Sequence, residues 1–410
     1  MALKIDFLVK EIYVKITTKL LGVFRTIFLL FFFSISSQLD NFYFAKSIVG
    51  IVILVNILFE ITYANQINLF KNNDAFIKQL HLLLNKFTLF LSMLLIGFSI
   101  FFLDNLEIKL HIIILSFWGF LNINSNFFLI VNRYQNQNRK VLLYYLFIAL
   151  LDIALLITML YAFSKNTFLA ISFSLFIAEF LVFFTFFLKQ LFRSYQNAKK
   201  TSFSLNIEKS LLFKVLFILI VISFIDISDK YFLSFFGEGQ ITYYTYGLYA
   251  PLVIRQSLDI RTNFFVQINK SENLKETKQV FFRTLKKLIP FFLLGVIFLL
   301  VTVEISEELI KTHFKIQDFK LLKRIIYLGI LITPMYMIWD LFYRFYYRAK
   351  KINKLFKVVF LGLISNIILN YLLGIKFNLG IYGILLSTLI VFLFYNFVSF
   401  NYFFKKSTSE

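Results

Sequence analysis

The 410-residue chain contains no cysteine, so it holds no disulfide, no thiolate metal ligand and no cysteine nucleophile. Histidine is confined to His81, His111 and His313, too sparse for a polyhistidine metal centre. No metal and no cofactor is expected. With 3 prolines and 13 glycines, collagen-like and linker-rich architectures are excluded. Charge is scarce as well. Asp, Glu, Lys and Arg make up 16% of the chain, whereas hydrophobic residues reach 59% and the mean hydropathy is +0.78. Ordinary globular domains carry about 25% charged residues, so this chain is too apolar for a soluble globule. It also has too much apolar surface to stay disordered. There is no Gly-rich phosphate loop, HExxH, GxSxG or zinc spacing, so ATP hydrolysis by this chain is excluded and no enzymatic activity is expected.

What the chain has in abundance is long apolar runs, rich in Phe and Leu. A membrane-spanning helix needs about 20 mostly apolar residues. Twelve such runs are read, at 14–37, 41–66, 80–103, 109–132, 141–163, 166–188, 211–236, 241–266, 288–303, 321–343, 358–374 and 379–404. None alternates with period two, which excludes outer-membrane barrel strands. The first run carries Lys15, Lys19 and Arg25 and no small-residue cleavage site, so it reads as a retained helix.

The formal net charge of +21 has its origin in the segments between these runs. With the N-terminus inside, the cytoplasmic segments hold 26 Lys and Arg against 7 Asp and Glu. The outer segments hold 8 Asp and Glu and 5 Lys and Arg, with Lys109 on a boundary. That alternation is the positive-inside pattern, and a nucleic-acid-binding stripe has no reason to follow it. The expectation is an all-α integral membrane protein of a bacterial inner membrane, with both termini cytoplasmic and no nucleic-acid partner. Arg133-Tyr134 with Arg139-Lys140, and Arg344-Phe345 with Lys350-Lys351, occupy the same loop in each set of six helices. Two six-helix halves of like orientation fit a parallel repeat around a central cavity. The expected division is 1–190, a basic linker at 191–210, and 211–410.

Ionisable side chains inside the membrane cost about 2.5–3.5 kcal/mol on insertion scales and face a cavity or a partner. Those within the runs include Arg25, Glu60, Asp152, Glu179, Asp226, Asp229, Arg255 and Asp340. Arg25 lies about halfway along the first run. A guanidinium there can hold a phosphate bidentately and cannot lose its proton. The competing reading is a buried pair with Asp226, Asp152 or Glu179. Arg255 is read as adding to a basic cavity. Asp226 is read as the deeper of two seventh-helix carboxylates and the place for a coupling H+ or Na+. Asp229, next to Lys230, is read as interfacial and turned to water, though ion coupling stays open for both. Asn122, Asn124 and Asn126 have period two, so a helix spreads them over opposite faces and part of the set serves interhelical hydrogen bonds.

Several short stretches resemble one family. Lys19 to Arg25 (KLLGVFR), Asp40-Asn41-Phe42 with Ala45, and Leu58-Phe59-Glu60 with Ala64 resemble the first two helices of the MviN/MurJ lipid II flippases. Asp229-Lys230, Ser234, Glu238-Gly239, Ile241-Thr242 and Tyr246 match that family's seventh-to-eighth-helix pattern in spacing. Arg344-Phe345-Tyr346-Tyr347 with Lys350 resembles its basic aromatic turn. Asn366, Asn370, Gly380 and Gly383 are similar to the wider multidrug/oligosaccharidyl-lipid/polysaccharide (MOP) exporter superfamily. The chain departs from the family at Ile61, where a glycine is usual, in the missing second-helix arginine, and at Tyr249, where the cavity arginine is usual. The family's usual fourteen helices also exceed the twelve runs read here.

The resemblance implies a MOP/MATE-like fold and a flippase moving a polyprenyl-pyrophosphate-linked saccharide, lipid II or a polysaccharide unit, by alternating access. Arg25, Arg255, Asp40 and Glu60 would bind substrate, and Asp226 and Asp229 would couple an ion. The expected partners are the lipid-linked oligosaccharide, membrane lipids and H+ or Na+, with the protein a monomer. Two alternatives stay open: an O-antigen, capsule or drug exporter of the same superfamily, and a polytopic glycosyltransferase, ligase or polymerase acting on lipid-linked sugars.

Overall fold

The computed structural model describes residues 14, 17–18, 21–22, 24–26, 28–30, 32–63, 74–135, 137–162, 167–197, 209–257, 274–313, 319–349 and 351–405. All regular structure among them is helical. Helix α1 covers the described residues between 14 and 33. It is followed by α2 (Ser37–Tyr63), α3 (Asp74–Phe102), α4 (Leu106–Tyr134), α5 (Asn138–Ala162), α6 (Thr167–Phe186), α7 (Leu188–Asn197), α8 (Lys209–Leu233) and α9 (Gln240–Ser257). The last four are α10 (Leu274–His313), α11 (Phe319–Arg348), α12 (Ile352–Leu369) and α13 (Ile381–Phe400). Helices are what an apolar chain must form in lipid, because each segment then satisfies its own backbone N–H and C=O groups.

Nine of the described helices are long and apolar enough to cross a membrane, which makes this a multi-pass membrane protein. The remaining three runs read from the sequence, 14–37, 211–236 and 241–266, are helical over most of their described residues, as α1 with the start of α2, α8 and α9. The surface agrees with a lipid environment. On α10, Phe291, Leu294, Ile297, Phe298 and Val301 are all exposed, an arrangement that water would penalise and acyl chains do not.

Local chemistry sets the breaks. Ser34 takes a left-handed φ of 55° between α1 and α2, and its N–H closes the last turn of α1 on Leu30 O at 2.9 Å. Asn105 caps α4, its Oδ1 accepting from Ile108 N–H at 3.1 Å. All three prolines, Pro251, Pro290 and Pro334, lie inside helices. Membrane helices tolerate this because neighbouring groups re-satisfy the freed carbonyls.

The chain divides into two compact units. The first comprises Met1–Leu29 and Asn41–Leu219. In it α6 packs on α4 and α5, α3 packs on α4, and the short α7 lies against α3 and α6. The second comprises Leu30–Asp40 and Ile220–Glu410. There α11 is the central element, packed on α9, α10, α12 and α13. Gly362 on α12 makes the α12–α13 contact possible, since a Cβ at that position would overlap the ring of Tyr395. Tyr395 uses the closeness to donate its hydroxyl to Val359 O at 3.0 Å.

Candidate functional site

The first unit holds a partly open cavity of about 260 Å³, its wall mostly apolar with a cluster of polar side chains. Helical spacing explains which residues reach it. Thr18, Leu21, Gly22 and Arg25 form one face of α1, and Trp118, Asn122 and Asn126 recur at four-residue steps along α4. Helix α5 adds Tyr144, Tyr145 and Asp152, and α6 adds Glu179. The Asn stripe divides as its period requires. Asn122 and Asn126 line the cavity, with Asn126 Nδ2 donating to Asn122 Oδ1 at 2.8 Å. Asn124 points elsewhere and accepts from His81 Nε2 at 2.6 Å. That leaves His81 Nδ1 to accept from the Tyr195 hydroxyl at 2.9 Å, which ties α7 to α3.

Of the three carboxylates open to Arg25 in the sequence, Asp152 is its partner, with Nε and Oδ2 2.5 Å apart. Asp152 is held in turn by Ser174, whose hydroxyl donates to Oδ1 at 3.0 Å. Arg25 Nε and Nη2 are both buried and have no hydrogen-bond partner among the described residues, so the contact with Asp152 is an ion pair and not an aligned hydrogen bond. Glu179 is a second sealed carboxylate. It accepts from the Tyr144 hydroxyl at 2.7 Å and from Asn122 Nδ2 at 3.1 Å. The cavity therefore combines one guanidinium with spare donors, two carboxylates, two amides and an indole. That set can bind an anion at Arg25 and hydrogen-bond a polyhydroxylated group beside it.

The second unit holds a different cluster, and it reverses the expected depth of the two seventh-helix carboxylates. Asp226 is the exposed one, its side chain 52% accessible and paired with Lys230 at 3.0 Å. Asp229 is sealed at 1% exposure. Its Oδ1 accepts from Asn366 Nδ2 at 3.0 Å and Asn370 Nδ2 at 2.8 Å. Its Oδ2 accepts from the hydroxyls of Tyr244 and Thr388, both at 2.7 Å. Four neutral donors from α9, α13 and the α12 segment with its π-turn extension at Asn370–Lys376 thus surround one carboxylate. Such a shell is polar enough to hold a charge, and the four donors that form it are neutral. The sequence reading placed Asp229 at the interface because Lys230 follows it. The two side chains leave α8 in different directions, and Lys230 serves Asp226.

Arg255, on α9, is also engaged. Its Nε donates to Asp340 Oδ2 at 2.8 Å and Nη2 lies 2.6 Å from the same oxygen, with the guanidinium 5.1 Å from the Tyr336 ring centroid. Asp40, expected to bind substrate, is committed to structure. It is buried, and it caps α9 by accepting from Gly239 N–H at 2.6 Å, Thr242 N–H at 2.7 Å and the Thr242 hydroxyl at 2.6 Å. Gly239 presents its N–H from a φ of 82°, a conformation that glycine adopts without strain. Asp40→Ala strands these buried donors and is expected to destabilise the protein by about 2–4 kcal/mol. Thermal unfolding in detergent checks this, with Asp40→Asn expected to recover part of the loss. The side chain of Glu60 lies outside the described residues.

No family model matches the chain, and no curated protein matches its sequence. Solved structures do match. One is the lipid II flippase MurJ in an inward closed conformation, at 20% identity and a TM-score of 0.66, over 97% of this chain and 87% of that one. A Vibrio cholerae MATE transporter matches at 14% identity and a TM-score of 0.66, over 99% and 96% of the two chains. A MOP superfamily transporter from Pyrococcus furiosus matches at 12% identity and a TM-score of 0.62, over 97% and 94%. The fold is that of the MOP transporters. All three neighbours are transport proteins by name, and the match in fold spans nearly the whole chain.

Proposed function

We propose that the protein is a flippase of a bacterial inner membrane, moving a polyprenyl-pyrophosphate-linked saccharide outward by alternating access. The observation that carries the reading is Arg25, a guanidinium on α1 that lines the cavity beside Asp152, with Nη2 unpaired among the described residues. The cavity's Asn122, Asn126, Trp118 and Tyr145 are the residue types that bind sugar hydroxyls and stack on sugar rings. The lipid tail stays in the bilayer. The halves at 1–190 and 211–410, joined by the basic segment 191–210, rock against each other, with both termini cytoplasmic as the loop charges require.

The driving force in this reading is the membrane potential together with an ion at Asp229. Outward movement of a pyrophosphate carries negative charge, which an inside-negative potential favours by about 2.3 kcal/mol per charge per 100 mV. Asp229 takes the coupling role because it is the sealed carboxylate, and Asp226 does not share it. The test is reconstitution with a polyprenyl-pyrophosphate-linked disaccharide, reading headgroup accessibility on the outer face of the vesicle. Transport is expected under an imposed potential and should stop when an ionophore collapses it. Undiminished transport with neither potential nor ion gradient refutes the coupling.

A second reading has one observation in its favour. Asp152 and Glu179 both line the Arg25 cavity, and two carboxylates beside one arginine also suit a cationic drug. Competition for the reconstituted flippase by a lipophilic cation distinguishes the two, since only an exporter of such compounds accumulates them.

A further inference from the structure

Arg25 and Asp152 meet in an unusual way for a pair whose only task is to neutralise charge. Asp152 Oδ2 lies 2.5 Å from Nε as an ion pair, without the alignment of a hydrogen bond. Nε and Nη2 are both buried and without a hydrogen-bond partner among the described residues. Asp152 is itself pinned by Ser174 at 3.0 Å, so it stays close to the cation whether or not anything else is bound. Both side chains are mostly sequestered, at 13% and 10% exposure, where charges interact more strongly than in water.

From this geometry we infer that Asp152 is a resident counter-anion, competing with the pyrophosphate for Arg25 and so setting how readily the headgroup is released. The inference rests on the pyrophosphate reading of Arg25. Its physical basis is that a transporter must let go of its cargo. A lone buried guanidinium binds a pyrophosphate too firmly for turnover. A carboxylate fixed at Nε keeps the cation neutralised when the site is empty, orients the fork toward an incoming anion, and repels that anion once it has arrived. Glu179, lining the same cavity, adds to the repulsion. Asp152 is thus a positioning and specificity-setting residue, acting on substrate through Arg25.

A purely structural ion pair predicts the opposite sign. If Asp152 only holds Arg25 in place, Asp152→Asn loosens the arginine and weakens anion binding. If it competes, the same variant removes a negative charge, keeps a neutral group beside Nε, and tightens binding. The probes are inorganic pyrophosphate and farnesyl pyrophosphate, titrated by calorimetry into the full chain in nanodiscs. Asp152→Asn is expected to bind both at least about tenfold more tightly than the parent chain. In vesicles it should lower KM and kcat together, since slow release then limits turnover. Asp152→Ser provides the same sign from a smaller side chain should the amide variant fold poorly.

Tighter binding of farnesyl pyrophosphate than of inorganic pyrophosphate identifies a lipid-borne headgroup as the ligand. Equal affinity assigns the site to the pyrophosphate alone and leaves the competition intact. Unchanged or weaker binding in Asp152→Asn, with binding still lost in Arg25→Gln, overturns the competition and leaves the pyrophosphate reading standing. Binding that ignores Arg25 altogether overturns both.

Discussion

Arg25→Ala, at equal protein level, is expected to lower transport of a polyprenyl-pyrophosphate-linked substrate at least about 100-fold. Removing one partner of a buried ion pair costs about 3–5 kcal/mol, and every 1.4 kcal/mol is about a tenfold change. Two losses combine here. The pyrophosphate forfeits its charge-assisted donors, and Asp152, left 10% exposed beside an empty position, becomes an uncompensated anion facing another anion. Arg25→Lys separates charge from geometry. An ammonium restores the positive charge but acts as a point and offers no planar fork, so partial activity, about a tenth of the parent chain's, is expected. Headgroup accessibility in vesicles measures both variants. Parent-like transport by Arg25→Ala would remove this residue from substrate binding.

The second large effect belongs to Asp229. Asp229→Asn keeps the side chain's shape while removing the one negative charge within the shell of Asn366, Asn370, Tyr244 and Thr388. The hydroxyls can rotate to accept from the new amide, so the fold should persist. The ability to hold a cation should not. Transport is expected to fall by about 5–150-fold, the range of a coupling free energy of 1–3 kcal/mol, and what remains should no longer respond to the Na+ or H+ gradient. Asp226→Asn is the control. Its carboxylate is 52% accessible, pairs with Lys230 and lies outside the donor shell of Asp229, so neutralising it should leave that shell intact. Normal ion dependence in Asp229→Asn, or its loss in Asp226→Asn, would reverse the assignment. Varying each gradient separately identifies the coupling ion.

Much of the architecture was legible before any coordinates. Hydropathy located the helices, and the alternating Lys and Arg of the loops gave the orientation that the proposal uses. The division of the Asn stripe between helix faces followed for a related reason. Period two cannot stay on one face of a helix, so Asn122 and Asn126 had to part from Asn124. Charge inside an apolar run also singled out Arg25 and offered Asp226, Asp152 and Glu179 as its partners. These are properties of a segment by itself. In lipid a helix satisfies its own backbone, so its existence depends on local length and apolarity and not on what it packs against.

The use made of each polar side chain was settled elsewhere. Asp226 and Asp229 are three residues apart on one helix, and no local rule says which is sealed. Asn366 and Asn370, more than a hundred residues later, together with Thr388, enclose Asp229 alone. Asp40 reads as a polar residue at the start of a helix, and only the approach of Gly239 and Thr242 turns it into the cap of another. Arg25 had three carboxylates to choose from, and Ser174 on α6 fixes the one it meets. A buried carboxylate or guanidinium takes its role from the donors and acceptors that surround it, because desolvation makes every unpaired group costly. Those partners come from distant parts of the chain, so it is the packing of the helices that separates a cap, a sealed carboxylate and a cavity-lining arginine among residues that look alike in the sequence.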